Sequence, residues 1–176
     1  KSGDDFIGIN GNHNKITSGS GIDEINIVGN NNTVNSGTSD DIIYVRGDNN
    51  KIYGGSGNDS IDIGFSTKAN SCIVDGGTGN DTINLHGDNN IIGWNVGGGF
   101  DTIKTSRLAT VNTGNRLRFG KGISFEDIIY QYVNGQYQAM HLDENGNIDG
   151  GVLLANEIKS VEYEEEKRTK NIDDGL

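Results

Sequence analysis

Over the first hundred residues, apolar and polar positions alternate in short bursts that recur at a fixed interval. Asp5, Asp23, Asp41 and Asp59 stand 18 residues apart, and Asp81 and Asp101 follow after 22 and 20. Behind each aspartate come two apolar positions separated by one residue. The first is Ile7, Ile25, Ile43, Ile61, Ile83 or Ile103, and the second is Ile9, Ile27, Val45, Ile63, Leu85 or Thr105. Gly8, Asn26, Tyr44, Asp62, Asn84 and Lys104 lie between them. Such period-two alternation of β-branched residues predicts a strand with one buried face. An Asn-rich turn follows in most copies, then a further apolar position at Ile16, Val34, Ile52, Val74 or Ile92. Two strands and two turns per 18 residues predict one coil of a flattened solenoid, its copies stacked about 4.8 Å apart.

The expected fold is therefore all-β: a right-handed parallel β-roll or β-solenoid of about six 18-residue coils over residues 1–105. The extra residues near Phe65–Ser71 and Ile91–Val96 are expected as loops at the Asn-rich corner. Residues 106–165 read as a small β-rich cap, needed because a terminal coil exposes its apolar face and an unpaired edge. A strand is predicted at Arg116–Phe119, and Ser124 is a fitting N-cap. Asn134-Gly135 joins two alternating segments, Ile129–Val133 and Gln136–Leu142, as a hairpin. Asp143–Asp149 has its glycine misplaced for an EF-hand loop and reads as a second turn, leading to Gly151–Leu154 and Ile158–Tyr163. The charged run from Glu162, with residues 166–176 as a tail, is expected as a solvated end, helical if ordered.

Composition sharpens this picture. The 176 residues include 28 glycines and no proline, are only 32% hydrophobic and carry a net charge of −11. Missing proline fits a stack in which every coil donates hydrogen bonds to its neighbour. The acidic balance argues against nucleic acid as a partner, and no run is long enough for a membrane span. The lone Cys72 permits no internal disulfide.

Stacking aligns the six aspartates in one column. Neighbouring carboxylates one strand spacing apart repel by roughly 1 kcal/mol even in water, and no basic residue in the glycine turns offsets this. A divalent cation between successive turns would. Carboxylate and carbonyl ligands suit a hard ion such as Ca²⁺, whereas His13, His86 and Cys72 share no register that would serve zinc or copper.

GGSGNDSID (Gly54–Asp62) and GGTGNDTIN (Gly76–Asn84) resemble the glycine- and aspartate-rich nonapeptide of the RTX (repeats-in-toxin) family, a calcium-loaded parallel β-roll. The resemblance implies one ion between each pair of stacked turns. Its ligands would be Asp5, Asp23, Asp41, Asp59, Asp81 and Asp101, with carbonyls of Gly3, Gly19, Gly21, Gly37, Gly55, Gly57, Gly77, Gly79, Gly97 and Gly99. Lys1-Ser2-Gly3, Thr38-Ser39, Val96 and Phe100 depart from the pattern. RTX rolls place calcium turns on both edges, whereas the second edge here is Asn-rich. Calcium is thus expected along one edge, with Asn14, Asn32, Asn50 and Asn90 stacked on the other. Six turns leave five gaps, and five Ca²⁺ would bring −11 to −1.

FGKGISFEDI is similar to the segment that closes RTX arrays. The function implied is a calcium-dependent folding module of a secreted bacterial toxin, adhesin or exoenzyme, with the type I secretion machinery as a partner. The alternative is a calcium-stabilised adhesin module that contacts a glycan or host surface through residues such as Tyr44 and Asp62. No enzyme is expected: H-E-x-x-H, G-x-S-x-G and Walker motifs are absent from the sequence, and Cys72 has no histidine nearby.

Overall fold

A computed structural model describes residues 2–105, 114–154, 160–163 and 168–171 of the chain. The predicted alternation folds as strands that take turns between two sheets. One sheet holds β1 (Phe6–Asn10), β3 (Glu24–Val28), β5 (Ile42–Arg46), β7 (Ser60–Ile63), β9 (Thr82–Leu85) and β11 (Phe100–Thr105), stacked in that order. The other holds β2 (Lys15–Ser20), β4 (Thr33–Thr38), β6 (Lys51–Ser56), β8 (Ile73–Thr78), β10 (Ile91–Trp94) and β12 (Arg116–Phe119). All pairs between these strands are parallel, and the early ones keep an 18-residue register, as in Ile7↔Ile25↔Ile43 and Ile16↔Val34↔Ile52. The protein is a β-solenoid of about six coils, as the spacing predicts.

Its interior is a column of Ile, Val and Leu contributed alternately by the two sheets: Ile25, Ile27, Val34, Ile43, Val45, Ile52, Ile61 and Ile63 are all buried. Each buries a side chain worth roughly 1.5–3 kcal/mol. The inward faces are so narrow that this core needs few residues per coil, which accounts for the low apolar content.

The cap closes the last coil on both sheets. β13 (Ile128–Val133) and β14 (Gln136–Leu142) form the expected antiparallel hairpin about Asn134-Gly135, both at positive φ. β15 (Ile148–Leu154) pairs antiparallel with β14 and parallel with β11, covering the edge of the first sheet. β16 (Ser160–Tyr163) covers β12 on the second sheet. Glu162 there receives ion pairs from Arg116 at 2.7 Å and Arg118 at 3.0 Å. Ser124 opens a 3-10 turn (Phe125–Asp127) and its Oγ accepts the Glu126 N–H. The Asp143 carboxylate accepts the Asn145 and Asn147 N–H groups, so this segment is a turn as expected.

Two expectations need correction. The charged tail is not helical where it is described: Arg168–Asn171 is a strand, β17, antiparallel to β16. Edge pairing there wins over the helical preference of the Lys/Arg run. The second loop lies not at the Asn-rich corner but at the glycine corner, where Gly98 N–H closes a turn on the Asn95 carbonyl between β10 and β11. In the cap, His141 is buried, its ring tilted against Trp94 at 5.7 Å and its Nδ1 paired with Asp149.

Candidate metal centre

The six aspartates do form one column. From the second onward, each Oδ1 accepts the main-chain N–H of the aspartate in the preceding coil: Asp23 from Asp5 (2.8 Å), Asp41 from Asp23 (2.7 Å), Asp59 from Asp41 (2.8 Å), Asp81 from Asp59 (2.8 Å) and Asp101 from Asp81 (2.9 Å). The residue after the glycine turn would otherwise leave its N–H outside the sheet ladder. A short side-chain acceptor in the next coil satisfies it. Asp23, Asp41, Asp59, Asp81 and Asp101 are all at most 4% exposed.

The opposite corner repeats the arrangement in asparagine. Asn32 accepts from Asn14, Asn50 from Asn32, Asn90 from Cys72 and Asn115 from Asn90, each at 2.8 Å. Here the second side-chain atom also has a partner. Nδ2 of Asn32, Asn50, Asn90 and Asn115 donates to the carbonyls of Gly11, Gly29, Ala69 and Gly87 at 2.9–3.1 Å. At the aspartate corner the corresponding atom is a carboxylate oxygen. Oδ2 of Asp23, Asp59 and Asp81 is buried with no hydrogen-bond partner, and that of Asp41 has only the Ser36 hydroxyl, itself donating to the Gly54 carbonyl, nearby.

Burial is the main reason the carboxyls of Asp41, Asp59, Asp81 and Asp101 resist ionisation. It pushes Asp59 and Asp101 up to about 7 and Asp81 up to about 6, against the lowering effect of the N–H bond each accepts. Asp41 is also raised by burial, with the nearby Ser36 hydroxyl pulling it back. Neighbouring carboxylates add to the rise, among them Asp40 at Asp59 and Asp75 at Asp81 and Asp101.

A second inward column, one that the Asp spacing does not reveal, lines this corner. It lies two residues beyond Ile16, Val34, Ile52, Val74, Ile92 and Leu117, and reads Ser18, Ser36, Gly54, Gly76, Trp94, Phe119. Small residues face the aspartates; Trp94 and Phe119, edge to face at 6.0 Å, seal the end where the column stops. Period-two counting from the known apolar positions would have found it.

The glycines expected to supply carbonyls all take positive φ, between 80° and 126°. Successive turns touch directly. A Cβ on Gly37, Gly55, Gly77 or Gly79 would stand within about 2.0 Å of the carbonyl oxygen of Gly19, Gly37, Gly55 or Gly57 respectively. Only glycine fits such a stack. The Gly3 and Gly79 carbonyls approach Gly21 and Gly99 in the same way. The Gly99 carbonyl accepts from Gly151 N–H and from the Trp94 indole. Gly97 lies in the enlarged turn of the fifth coil. Among the described residues no three His, Cys, Asp or Glu side chains converge as a metal cluster. A cation here would combine carboxylate oxygens of stacked turns with main-chain carbonyls, the hard-oxygen chemistry of Ca²⁺.

Outside this corner, Tyr44 and Asp62 are partly covered. Phe65 of the first loop packs on Tyr44 at 5.7 Å, and Asp62 is 3.3 Å from His86. A further side-chain ladder, not foreseen, runs on the outer side of both corners, as in Asn58 N–H to Asp40 and Asn30 N–H to Asn12.

Fold and column define a β-solenoid with one polar ladder of amides and one of carboxyls. Residues 9–64, from the first coil to the end of β7, match a family described only as a protein of unknown function (DUF3060). No curated protein matches the chain.

Proposed function

We propose that this chain is a calcium-dependent folding and stabilising module of a secreted bacterial protein of the RTX type. The observation that carries the reading is that Oδ2 of Asp59 and of Asp81 is buried without a partner, beside an amide column whose Nδ2 atoms are satisfied. A buried ionised carboxylate lacking a partner is destabilising. Calcium between the stacked turns would supply the missing positive charge, and its binding energy would become folding energy. Aspartates of the glycine-lined part of the column, together with main-chain carbonyls of the glycine turns, would hold it.

On this reading, low cytosolic calcium leaves the column repulsive and the chain loose enough for type I export. Millimolar calcium outside closes the coils. Circular dichroism of the chain through a calcium titration at pH 8 tests it. The expected result is a weakly structured spectrum in chelator that becomes β-rich with calcium. A fully β-rich spectrum in chelator, unmoved by calcium in signal or melting temperature, would overturn the reading.

A further inference from the structure

The aspartate column is lined unevenly, and the difference sorts its rungs. At Ser18 and Ser36 the strand register skips a position: Thr17 pairs with Asn35 and Gly19 with Gly37, and Asn35 with Tyr53 and Gly37 with Gly55. The carbonyl freed in the next coil is taken by the serine hydroxyl. Ser18 Oγ donates to the Ser36 carbonyl and Ser36 Oγ to the Gly54 carbonyl, each at 2.6 Å.

The same skip recurs between β6 and β8, where Tyr53 pairs with Asp75 and Gly55 with Gly77. Here the residue is Gly54, and no hydroxyl meets the Gly76 carbonyl. Instead the carboxylate leans into the space. A Cβ on Gly54 would stand 2.3 Å from Asp59 Oδ2 and 2.4 Å from the Gly76 carbonyl oxygen. One coil on, a Cβ on Gly76 would stand 2.0 Å from Asp81 Oδ2. Two acceptors, a buried carboxylate oxygen and a carbonyl oxygen, therefore face one small volume with no donor between them. Two like dipoles in that arrangement repel unless a positive charge joins them.

We propose that the column is divided, resting on the calcium reading above. A hard divalent cation is held at the glycine-lined rungs by Asp59, Asp81 and the Gly76 carbonyl, while the serine-lined rungs of Asp23 and Asp41 hold none. At the serine rungs a side chain already fills the place and its proton already satisfies the carbonyl. Asp75 adds its negative charge at the glycine end, beside Asp81 and Asp101, whereas Asp40 acts on the Asp41 and Asp59 rungs alike. The bound ions are then fewer than the five that the gaps allow.

Calcium binding to two doubly substituted full-length chains tests the division, by isothermal titration with circular dichroism as the check on folding. Asp→Asn is chosen because the opposite corner folds with asparagine in the same place. Asp59→Asn with Asp81→Asn is expected to weaken the tightest calcium site at least tenfold. Asp23→Asn with Asp41→Asn is expected to leave it within twofold. Equal losses in the two variants, or a larger loss in the second, would overturn the division while leaving the calcium reading standing. An unaltered chain that binds no calcium at millimolar concentration sinks both. Should either variant fail to fold, Mn²⁺ broadening of amide signals in the unaltered chain decides. Broadening centred on Gly54–Asp59 and Gly76–Asp81 supports the division, and equal broadening at Asp23 and Asp41 contradicts it.

Discussion

The two corners of the solenoid solve one problem with two side chains of nearly equal shape. Each turn leaves a main-chain N–H outside the sheet, and an inward oxygen from the next coil accepts it, from asparagine at one corner and aspartate at the other. Asparagine then has an amide N–H₂ to spend on a carbonyl of the preceding coil. Aspartate has a second acceptor instead, and that acceptor is buried without a partner. Replacing NH₂ by O⁻ keeps the same backbone bond and puts an acceptor where the other corner has a donor. One corner is complete as built, and the other keeps buried acceptors unpaired.

Exchanging the two chemistries should give the largest effects. Asn50→Asp moves a carboxylate into the satisfied corner, facing the Gly29 and Gly47 carbonyls that Nδ2 now serves. A loss of about 3 kcal/mol or more at neutral pH is expected in denaturant unfolding. The opposite exchange, Asp59→Asn with Asp81→Asn and Asp101→Asn, should stabilise the chain in chelator. The gain expected is about 1–3 kcal/mol per rung that finds a carbonyl. The triple variant should also lose its response to calcium.

Acid offers a milder way to complete the aspartate corner. The folded-state values near 6 to 7 for Asp59, Asp81 and Asp101 lie above the ordinary 3.8. The folded state therefore holds more protons than the unfolded one. Stability drawn from these groups is fully present below about pH 4 and is lost as pH rises through 6 to 7. In chelator the melting temperature should climb as pH is lowered from 8 to 5, and in saturating calcium this climb should shrink. Asp127 works in the opposite sense, because the Ser124 N–H holds its carboxyl low, and its contribution fades below about pH 4.

The smallest expected change concerns the one break in the amide column. Cys72 replaces asparagine there, its Sγ 3.6 Å from the Gly47 carbonyl. Cys72→Asn would offer an amide donor instead of a thiol, worth about 1 kcal/mol in thermal unfolding.

Much of this comparison was legible in the sequence. The aspartate spacing located one column, and the asparagines located the other, because both sit at fixed offsets from period-two strands. What was hidden is contact between coils. Nothing in the order of residues says that Asp41 Oδ1 accepts an N–H from Asp23, since that bond spans a full turn. The inward column from Ser18 to Phe119 escapes the apolar pattern because serine and glycine do not register as core residues, yet they set the room beside the carboxyls. The two-residue excess that forms the second loop carries no label of which corner absorbs it. Asn115, 25 residues beyond Asn90, continues its column after the repeat has faded from view. The Arg168–Asn171 strand depends on the free edge of β16, a tertiary opportunity that local charge does not announce.

Melting the unaltered chain and the Asp59→Asn, Asp81→Asn, Asp101→Asn variant side by side, at pH 8 in chelator and in millimolar calcium, tests the central claim most directly. The unaltered chain should gain about 10 °C or more from calcium at a thousandfold excess over its dissociation constant, and the variant should not move. Two flat responses, with the unaltered chain already as stable in chelator as the variant, would contradict the claim that the aspartate corner is completed by a cation.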